Sequence, residues 1–154
     1  MKGLPIFVRF GLVIALLLIG YFLLVKAFGW HENPWLRLLN GIIVGFGLYE
    51  VIRLRKLEMG KDFEYFDGFK TGIYTGFIAT IIFVLFMGIY MFHLDTAFPE
   101  TILDQWMSGY FQGPGILLFI LALEGFASSV ILSLTFMQRF KPSWNVKEKQ
   151  VQKA

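Results

Sequence analysis

The sequence contains no cysteine, and only 16% of its 154 residues are charged. The missing cysteines exclude disulfide bonds, thiolate metal sites and thiol nucleophiles. Soluble domains carry about 25% charged residues, so the low charge, together with a hydrophobic content of 56%, excludes an ordinary soluble domain. The length also excludes a large multidomain enzyme, because about 150 residues make at most one domain.

Common signatures of catalysis and of nucleic-acid binding are missing as well. The sequence has no nucleotide-binding loop, no catalytic serine motif and no helix with two zinc-binding histidines. The net charge is +3, but the basic residues flank apolar runs instead of forming a stripe on a folded surface, so no nucleic acid is expected as a partner. We therefore predict no enzyme activity, no cofactor and no metal centre.

Four apolar segments have the length that crosses the hydrocarbon core of a membrane, at about 10–27, 35–52, 71–92 and 115–137. Backbone groups inside a bilayer must pair within their own segment, so each segment is predicted to be a helix. The second is the weakest, because Arg37, Asn40 and Glu50 lie within it or at its ends. These side chains lie near the interfaces, where they can snorkel. The first segment lacks a small-x-small cleavage site near Ala27, so a retained helix is predicted rather than a signal peptide.

The basic residues predict the orientation. Twelve of the 14 lie before the first span, between the second and third, or after the fourth, and only Lys26 and Arg37 lie on the opposite side. Short cytoplasmic loops carry the excess of Lys and Arg, so both termini are predicted to be cytoplasmic. The predicted fold is an all-α, four-helix transmembrane bundle over residues 1–141, followed by a basic, disordered tail at 142–154.

The second outer loop is long enough to hold a short amphipathic helix beginning at Pro99 and ended by Gly109 or by the Gly113–Gly115 turn. Its apolar positions follow helical spacing, and they are Ile102, Leu103, Trp106, Met107 and Tyr110. We predict that this helix lies on the outer face of the membrane, against lipid or protein. In the cytoplasmic loop, Asp67 is predicted to cap the third helix.

Glu124 lies about ten residues into the fourth span, roughly 15 Å from its outer end at 1.5 Å per residue. A carboxylate at that depth is unfavourable unless it is neutral, paired or in contact with water. Two interpretations stay open, a proton or cation site and a hydrogen bond that holds neighbouring helices together. Candidate partners are the polar side chains inside the other spans, namely Tyr21, Asn40, Thr75 and Thr80.

Small residues recur four positions apart in every span, which places them on one helix face. They are Gly11 and Ala15, Gly41 and Gly45, Gly72, Gly76 and Thr80, and Gly125, Ser129 and Ser133. Such faces allow helix backbones to approach closely. We interpret them as packing within the bundle, with a dimer interface as the alternative.

His31 and His93 are predicted at the outer ends of spans. The neighbouring carboxylates are Glu32, Asp95, Glu100 and Asp104. Histidines and carboxylates can form a metal site or a proton relay. No ligand pair here has the helical spacing of a metal site, so both histidines are interpreted as ordinary interface residues.

The stretch from Leu48 to Asp104 resembles the corresponding stretch of a known protein family. Its features are Tyr49–Arg53 at the end of the second span, the aromatic segment Phe63–Phe66, the entry Asp67–Gly72 into the third helix, and Asp95 and Pro99-Glu100 in the outer loop. In these residues the chain resembles the small four-helix membrane proteins of Bacteroidota classed as domain of unknown function 4199. The arrangement of apolar segments and loops matches over about the whole chain, whereas the recognisable residues cover its middle third. The resemblance implies a bacterial inner-membrane location and transfers no functional residue.

Two functions remain from different classes. The first is a non-enzymatic accessory or assembly subunit of a membrane complex, whose partners are the lipid bilayer and other membrane subunits. The second is a small proton-coupled transporter or channel that works as a homo-oligomer and uses Glu124. Four short helices enclose little volume, so a transport pathway would need two or more copies.

Overall fold

The computed structural model describes residues 4–30, 34–106 and 113–140, and within these ranges it contains helices and no strand. The predicted all-α class is confirmed. The five α-helices are α1 (Ile6–Ala27), α2 (Arg37–Met59), α3 (Tyr65–Ile89), α4 (Phe98–Trp106) and α5 (Pro114–Phe140). Short 3-10 turns precede and follow α2, at Pro34–Leu36 and Gly60–Asp62, and a π-helical turn, Tyr90–Leu94, continues α3. The predicted tail, 142–154, lies outside the described residues.

Three segments are long and apolar enough to cross a membrane, namely Ile6–Ala27, Tyr65–Leu94 and Pro114–Phe140. These coincide with the first, third and fourth predicted spans. The helix at the second predicted span, α2, does not reach the same hydropathy, because it extends to Met59 and includes Glu50 and the basic residues from Arg53 onward. Its stretch 38–49 carries no charged residue.

Local sequence explains where the helices begin and end. The backbone N–H of Glu64 donates to Asp67 Oδ2 at 3.1 Å, and the Glu64 side chain accepts from the backbone in return, so these two residues form a capping box at the start of α3. The cap that was predicted for Asp67 is therefore one half of a reciprocal pair. Gly60, with a φ of 57°, ends α2 in a conformation that favours glycine.

The four long helices pack side by side. Helix α3 contacts α1, α2 and α5, and α2 also contacts α1 and α5, whereas α1 and α5 make little contact with each other. We call the end where α1 and α3 begin the basic end, since Arg9, Arg55 and Lys70 lie there. The opposite end, where α1 and α3 finish, is called the α4 end.

Helix α2 is displaced along the bundle toward the basic end. At its start, the hydroxyl of Tyr21 donates to the backbone oxygen of Leu36 at 2.9 Å. Tyr21 lies six residues before the end of α1, so α2 begins roughly 9 Å short of that level at 1.5 Å per residue. The first turn of α2 therefore lies inside the bundle's length, and its charged last turns lie at the basic end.

The bundle is apolar outside and contains small hydroxyl groups inside. Its buried polar residues are Thr71, Thr75, Thr80, Ser129 and Ser133. Large apolar side chains such as Leu16, Phe46 and Phe119 are about two-thirds exposed, at 67%, 69% and 67%. Soluble proteins bury such side chains far more often. This distribution is typical of helices that are surrounded by lipid.

Candidate functional site

Glu124 lies on a flank of α5, where it is exposed at the side of the bundle. It lines a cavity of about 80 Å³ together with side chains from every other long helix, among them Leu18 of α1, Asn40 of α2 and Thr80 of α3. The other lining side chains are mainly apolar. The carboxylate thus lies about ten residues into its own helix, at a cleft that we call the polar cleft after Glu124, Asn40 and Thr80 in its lining.

Asn40 supplies the second polar group of this cleft. It lies in the first turn of α2, and its Oδ1 atom is buried without a hydrogen-bond partner among the described residues. The free N–H groups at the start of a helix form the positive end of its dipole. Asn40 and Gly41 both line the cavity of Glu124, so the N-terminal part of α2 borders the cavity that also holds the carboxylate.

Two of the four predicted partners of Glu124 lie elsewhere. Tyr21 bonds Leu36, and the Thr75 hydroxyl donates to the backbone oxygen of Thr71 at 2.7 Å. Thr75 is fully buried at the contact between α3 and α1. Asn40 and Thr80 therefore line the same cavity as Glu124, whereas Tyr21 joins α1 to the start of α2 and the Thr75 hydroxyl is satisfied within α3.

A second cavity, of about 50 Å³, continues from the first toward the α4 end. Asn40, Phe83 and Leu121 line both cavities. The second cavity is otherwise apolar and is covered by Phe98 and Ile102 of α4. A water molecule needs about 10–15 Å³ of such volume and several polar partners, so water is favoured beside Asn40 and Glu124 rather than under α4.

The predicted small residues of α3 and α5 face one another in a regular antiparallel seam. Of these residues, Gly72 faces Ser133, Gly76 faces Ser129 and Thr80 faces Gly125, and Gly68, which was not predicted, extends the seam by facing Met137. A Cβ on Gly76 would lie 2.5 Å from the Cβ of Ser129, and one on Gly125 would lie 2.6 Å from Thr80 Oγ1. These distances are closer than real side chains allow, so each glycine is required by the residue opposite.

The small residues of α2 have a different environment. Nothing lies within 4 Å of a Cβ built on Gly41, and at Gly45 such an atom would only touch the ring of Phe136 at 4.0 Å. In α1, by contrast, Gly11 lies against Ile78 of α3, at 2.8 Å from a built Cβ. Equal spacing in the sequence therefore marks tight contacts in α1, α3 and α5 and an open face in α2.

A polar cluster at the α4 end was not predicted from the sequence. The Tyr90 hydroxyl donates to Asp95 Oδ2 at 2.7 Å, and Asp95 Oδ1 accepts from the backbone N–H of Phe98 at 3.2 Å. The Lys26 ammonium lies 4.3 Å from the centre of the Tyr90 ring. Phe22 packs edge-on to Tyr90 with ring centres 4.9 Å apart. The signal that was available is Asp95 shortly before Pro99, which is a helix start pattern.

This cluster holds α4 against the bundle. Phe98, Pro99 and Ile102 are buried, and Ile102 belongs to the same core cluster as Met87 and Leu117. The helix predicted in this loop is thus present, from Phe98 to Trp106, and it packs on protein through its first turns. The predicted stripe positions Met107 and Tyr110 lie outside the described residues.

The predicted interface histidines do not assemble a metal site in the part of the chain that the structure describes. His93 is exposed in the π-helical turn, and His31 and Glu32 lie outside the described ranges. Within those ranges, no group of three or more His, Cys, Asp or Glu side chains is arranged to hold a metal ion.

Fold and site together define an α-helical protein with apolar, membrane-length helices and a polar cleft beside Glu124. A family model described as "Protein of unknown function (DUF4199)" matches residues 9–142. The match covers most of the chain, and the chain therefore belongs to this family. No curated protein and no solved structure matches it.

Proposed function

We propose that this protein is a non-enzymatic accessory or assembly subunit of a membrane complex. It is an integral inner-membrane protein with four transmembrane helices, and both of its termini lie in the cytoplasm. Three membrane-length helices and an apolar exterior support the membrane location. The packing of α2 on α1, α3 and α5 supports α2 as the fourth span. The excess of basic residues at one end supports the orientation.

The observation that carries this proposal is the polar cleft on the side of the bundle. Glu124 is exposed on the side of the bundle, and the buried Oδ1 atom of Asn40 has no hydrogen-bond partner among the described residues. A polar side chain inside a membrane span favours a hydrogen bond with a neighbouring helix, and the Asn40 oxygen can still accept one. The open face at Gly41 leaves room for a further helix to approach α2 and α5. A transmembrane helix of another protein, carrying a hydrogen-bond donor, fits this cleft.

The first experiment is native mass spectrometry of the protein after gentle extraction. We expect a foreign subunit in a fixed ratio with the wild type. Glu124→Leu and Asn40→Leu each weaken its retention by about three- to twenty-fold, the range expected for one hydrogen bond between membrane helices.

The matched control is Thr135→Leu, which also replaces a polar residue on the exposed side of α5. The Thr135 hydroxyl bonds back to Ile131 in its own helix and lies away from the cleft, so the foreign subunit should be retained. A monomer without any partner contradicts the proposal, and so does a partner that all three variants release equally.

A homo-oligomeric proton-coupled transporter or channel is the second candidate. The specific observation in its favour is the cavity at Glu124 and its continuation past Asn40 toward the α4 end. Finding only a homodimer by mass spectrometry would favour it. Proton-driven flux in proteoliposomes should then be lost in Glu124→Gln, and flux that is unchanged in this variant would exclude Glu124 as the exchange site.

A further inference from the structure

A second polar pocket lies at the basic end, far from Glu124 and independent of the function proposed for it. Its volume is about 330 Å³, and it lies between the start of α1, the end of α2 and the start of α3. Charged side chains from all three helices line it. They are Arg9, Arg55, Glu58, Asp67 and Lys70.

Two of these cations lack an acidic partner. The carboxylate of Glu58 pairs with Arg55 at 3.4 Å, and an oxygen of Asp67 accepts the backbone N–H of Glu64 in the capping box. Within the described part of the chain, Arg9 and Lys70 form no ion pair or hydrogen bond. The pocket thus holds both acids in other interactions and leaves two positive groups available for an anion.

The depth of the pocket matches the headgroup layer of a membrane. Arg9 lies in the first turn of the first membrane-length helix, and Lys70 lies near the start of the second one. Aromatic rings line the pocket beside these charges. The rings of Phe7 and Tyr74 lie 5.6 Å apart, and Tyr74 lies one helical turn deeper along α3 than Lys70. Cations beside an apolar and aromatic wall suit a lipid, whose phosphate and acyl chains contact these two kinds of surface.

Other cations at this end have different environments. Arg53 pairs with Glu50 at 3.2 Å, and Lys56 donates to the backbone oxygen of Phe140 at 3.0 Å. Lys61 and Arg139 are exposed and do not line the pocket. At this end, the pocket thus differs from these positions, because it combines a cavity with two cations that have no ion pair among the described residues.

From this geometry we propose that the pocket binds the phosphate group of an anionic phospholipid. Arg9 and Lys70 contact the phosphate, and Arg55 adds positive charge while it stays paired with Glu58. Arg9 provides a planar guanidinium that can bond two phosphate oxygens, and Lys70 provides a compact charge.

The test is a native mass spectrometry titration of the full-length protein in detergent with phosphatidylglycerol and, separately, with phosphatidylcholine. Wild type should bind phosphatidylglycerol more tightly. The double variant Arg9→Gln/Lys70→Gln should weaken that binding roughly 30-fold, or about fivefold for each cation removed, the size expected of a basic residue near the membrane surface.

The matched control is Lys61→Gln/Arg139→Gln, which removes the same net charge at the same end but outside the pocket. Its affinity for phosphatidylglycerol should stay within about twofold of the wild type, because both side chains are exposed to screening by salt and do not line the pocket. The charge-preserving swap Arg9→Lys/Lys70→Arg should keep most of the binding, and circular dichroism verifies that each variant is folded.

Three outcomes would overturn the proposal. An equal loss in the control pair would mean that the charge of the whole end attracts the lipid. Equal binding of phosphatidylcholine would mean that the net charge of the lipid is not recognised. Displacement of the lipid by millimolar inorganic phosphate would mean that the pocket is a site for free phosphate.

Discussion

Tyr90 joins three segments of the chain through one side chain. Its hydroxyl bonds Asp95, its ring lies under the Lys26 ammonium, and its edge contacts Phe98 at the start of α4. The ring is 1% exposed. Asp95 in turn receives the N–H of Phe98. One hydroxyl group and one carboxylate therefore join the start of α4 to the bundle, in addition to the apolar packing of Phe98 and Ile102.

We expect Tyr90→Phe to lower the free energy of unfolding by about 1–2 kcal/mol, because it removes a hydrogen bond to a charged group and keeps the ring. The measurement is thermal unfolding in detergent. Tyr49→Phe is the control, since the Tyr49 hydroxyl makes no hydrogen bond within the described residues and its ring packs on Phe136. Equal losses in the two variants would contradict a role for the hydroxyl.

Among single residues, the sequence predicted Glu124 and the polar groups that face it only in part. The depth of a residue within a predicted span can be counted along the helix, so the sequence alone showed that the Glu124 carboxylate lies unusually deep. Asn40 and Tyr21 are both polar and both lie in predicted spans, yet only Asn40 reaches the cleft. The displacement of α2 along the bundle determines which of these two side chains lies at the cleft. The offset between two helices cannot be read from a pattern in one sequence.

At the scale of elements, the seam between α3 and α5 is the most extensive helix contact among the described residues. Four pairs of residues follow one another at intervals of four on both helices, and each glycine is opposed by a larger residue. Ser129 bonds back to the Gly125 oxygen at 2.7 Å, so its hydroxyl is satisfied without a partner helix. The seam is held by close packing, as expected where the surrounding lipid is as apolar as the side chains.

We expect Gly76→Ala to lower the free energy of unfolding by about 1–3 kcal/mol, because the added methyl overpacks the seam against Ser129. Gly20→Ala is the control, since nothing lies within 4 Å of a Cβ there and alanine favours a helix by up to about 1 kcal/mol. Unfolding in detergent measures both.

A rescue sharpens this comparison. Adding Ser129→Gly to Gly76→Ala returns the space that the new methyl occupies, and at least half of the lost stability should return. If the double variant is no more stable than Gly76→Ala, the overlap at this pair is not the cause of the loss.

The spacing of small residues predicted which face of each helix is able to pack closely, but it did not predict which helices meet. Gly41 and Gly45 have the same four-residue interval as Gly72 and Gly76, yet their face is open. The difference arises from the residues opposite. Ser129 and Ser133 lie at the same levels along the helix pair as Gly76 and Gly72 of α3. This alignment depends on the register of two helices about 50 residues apart in the sequence.

For the whole molecule, the absence of cysteine allows the proposed topology to be tested with single introduced thiols. Trp30, Lys61 and Thr96 are exposed and lie after α1, α2 and α3 respectively. If four helices cross the membrane with both termini in the cytoplasm, Trp30→Cys and Thr96→Cys react with an impermeant maleimide added to intact cells. Lys61→Cys reacts only after the membrane is permeabilised.

The wild type serves as the blank, because it has no thiol. Labelling of Trp30→Cys and Lys61→Cys from the same side would mean that α2 does not cross the membrane. Labelling of Lys61→Cys alone in intact cells would reverse the orientation and leave the four crossings in place.

The seam also dictates an order of events during synthesis. The glycines and threonines of α3 that form one side of the seam are synthesised first. The residues of α5 that form the other side are synthesised only after α4 and the loop beyond it. Until then α3 has α1 and α2 as its neighbours among the described long helices. Helix α5, the last of the described helices, therefore completes the bundle, and a chain truncated before Pro114 would leave the glycine face of α3 without its complement.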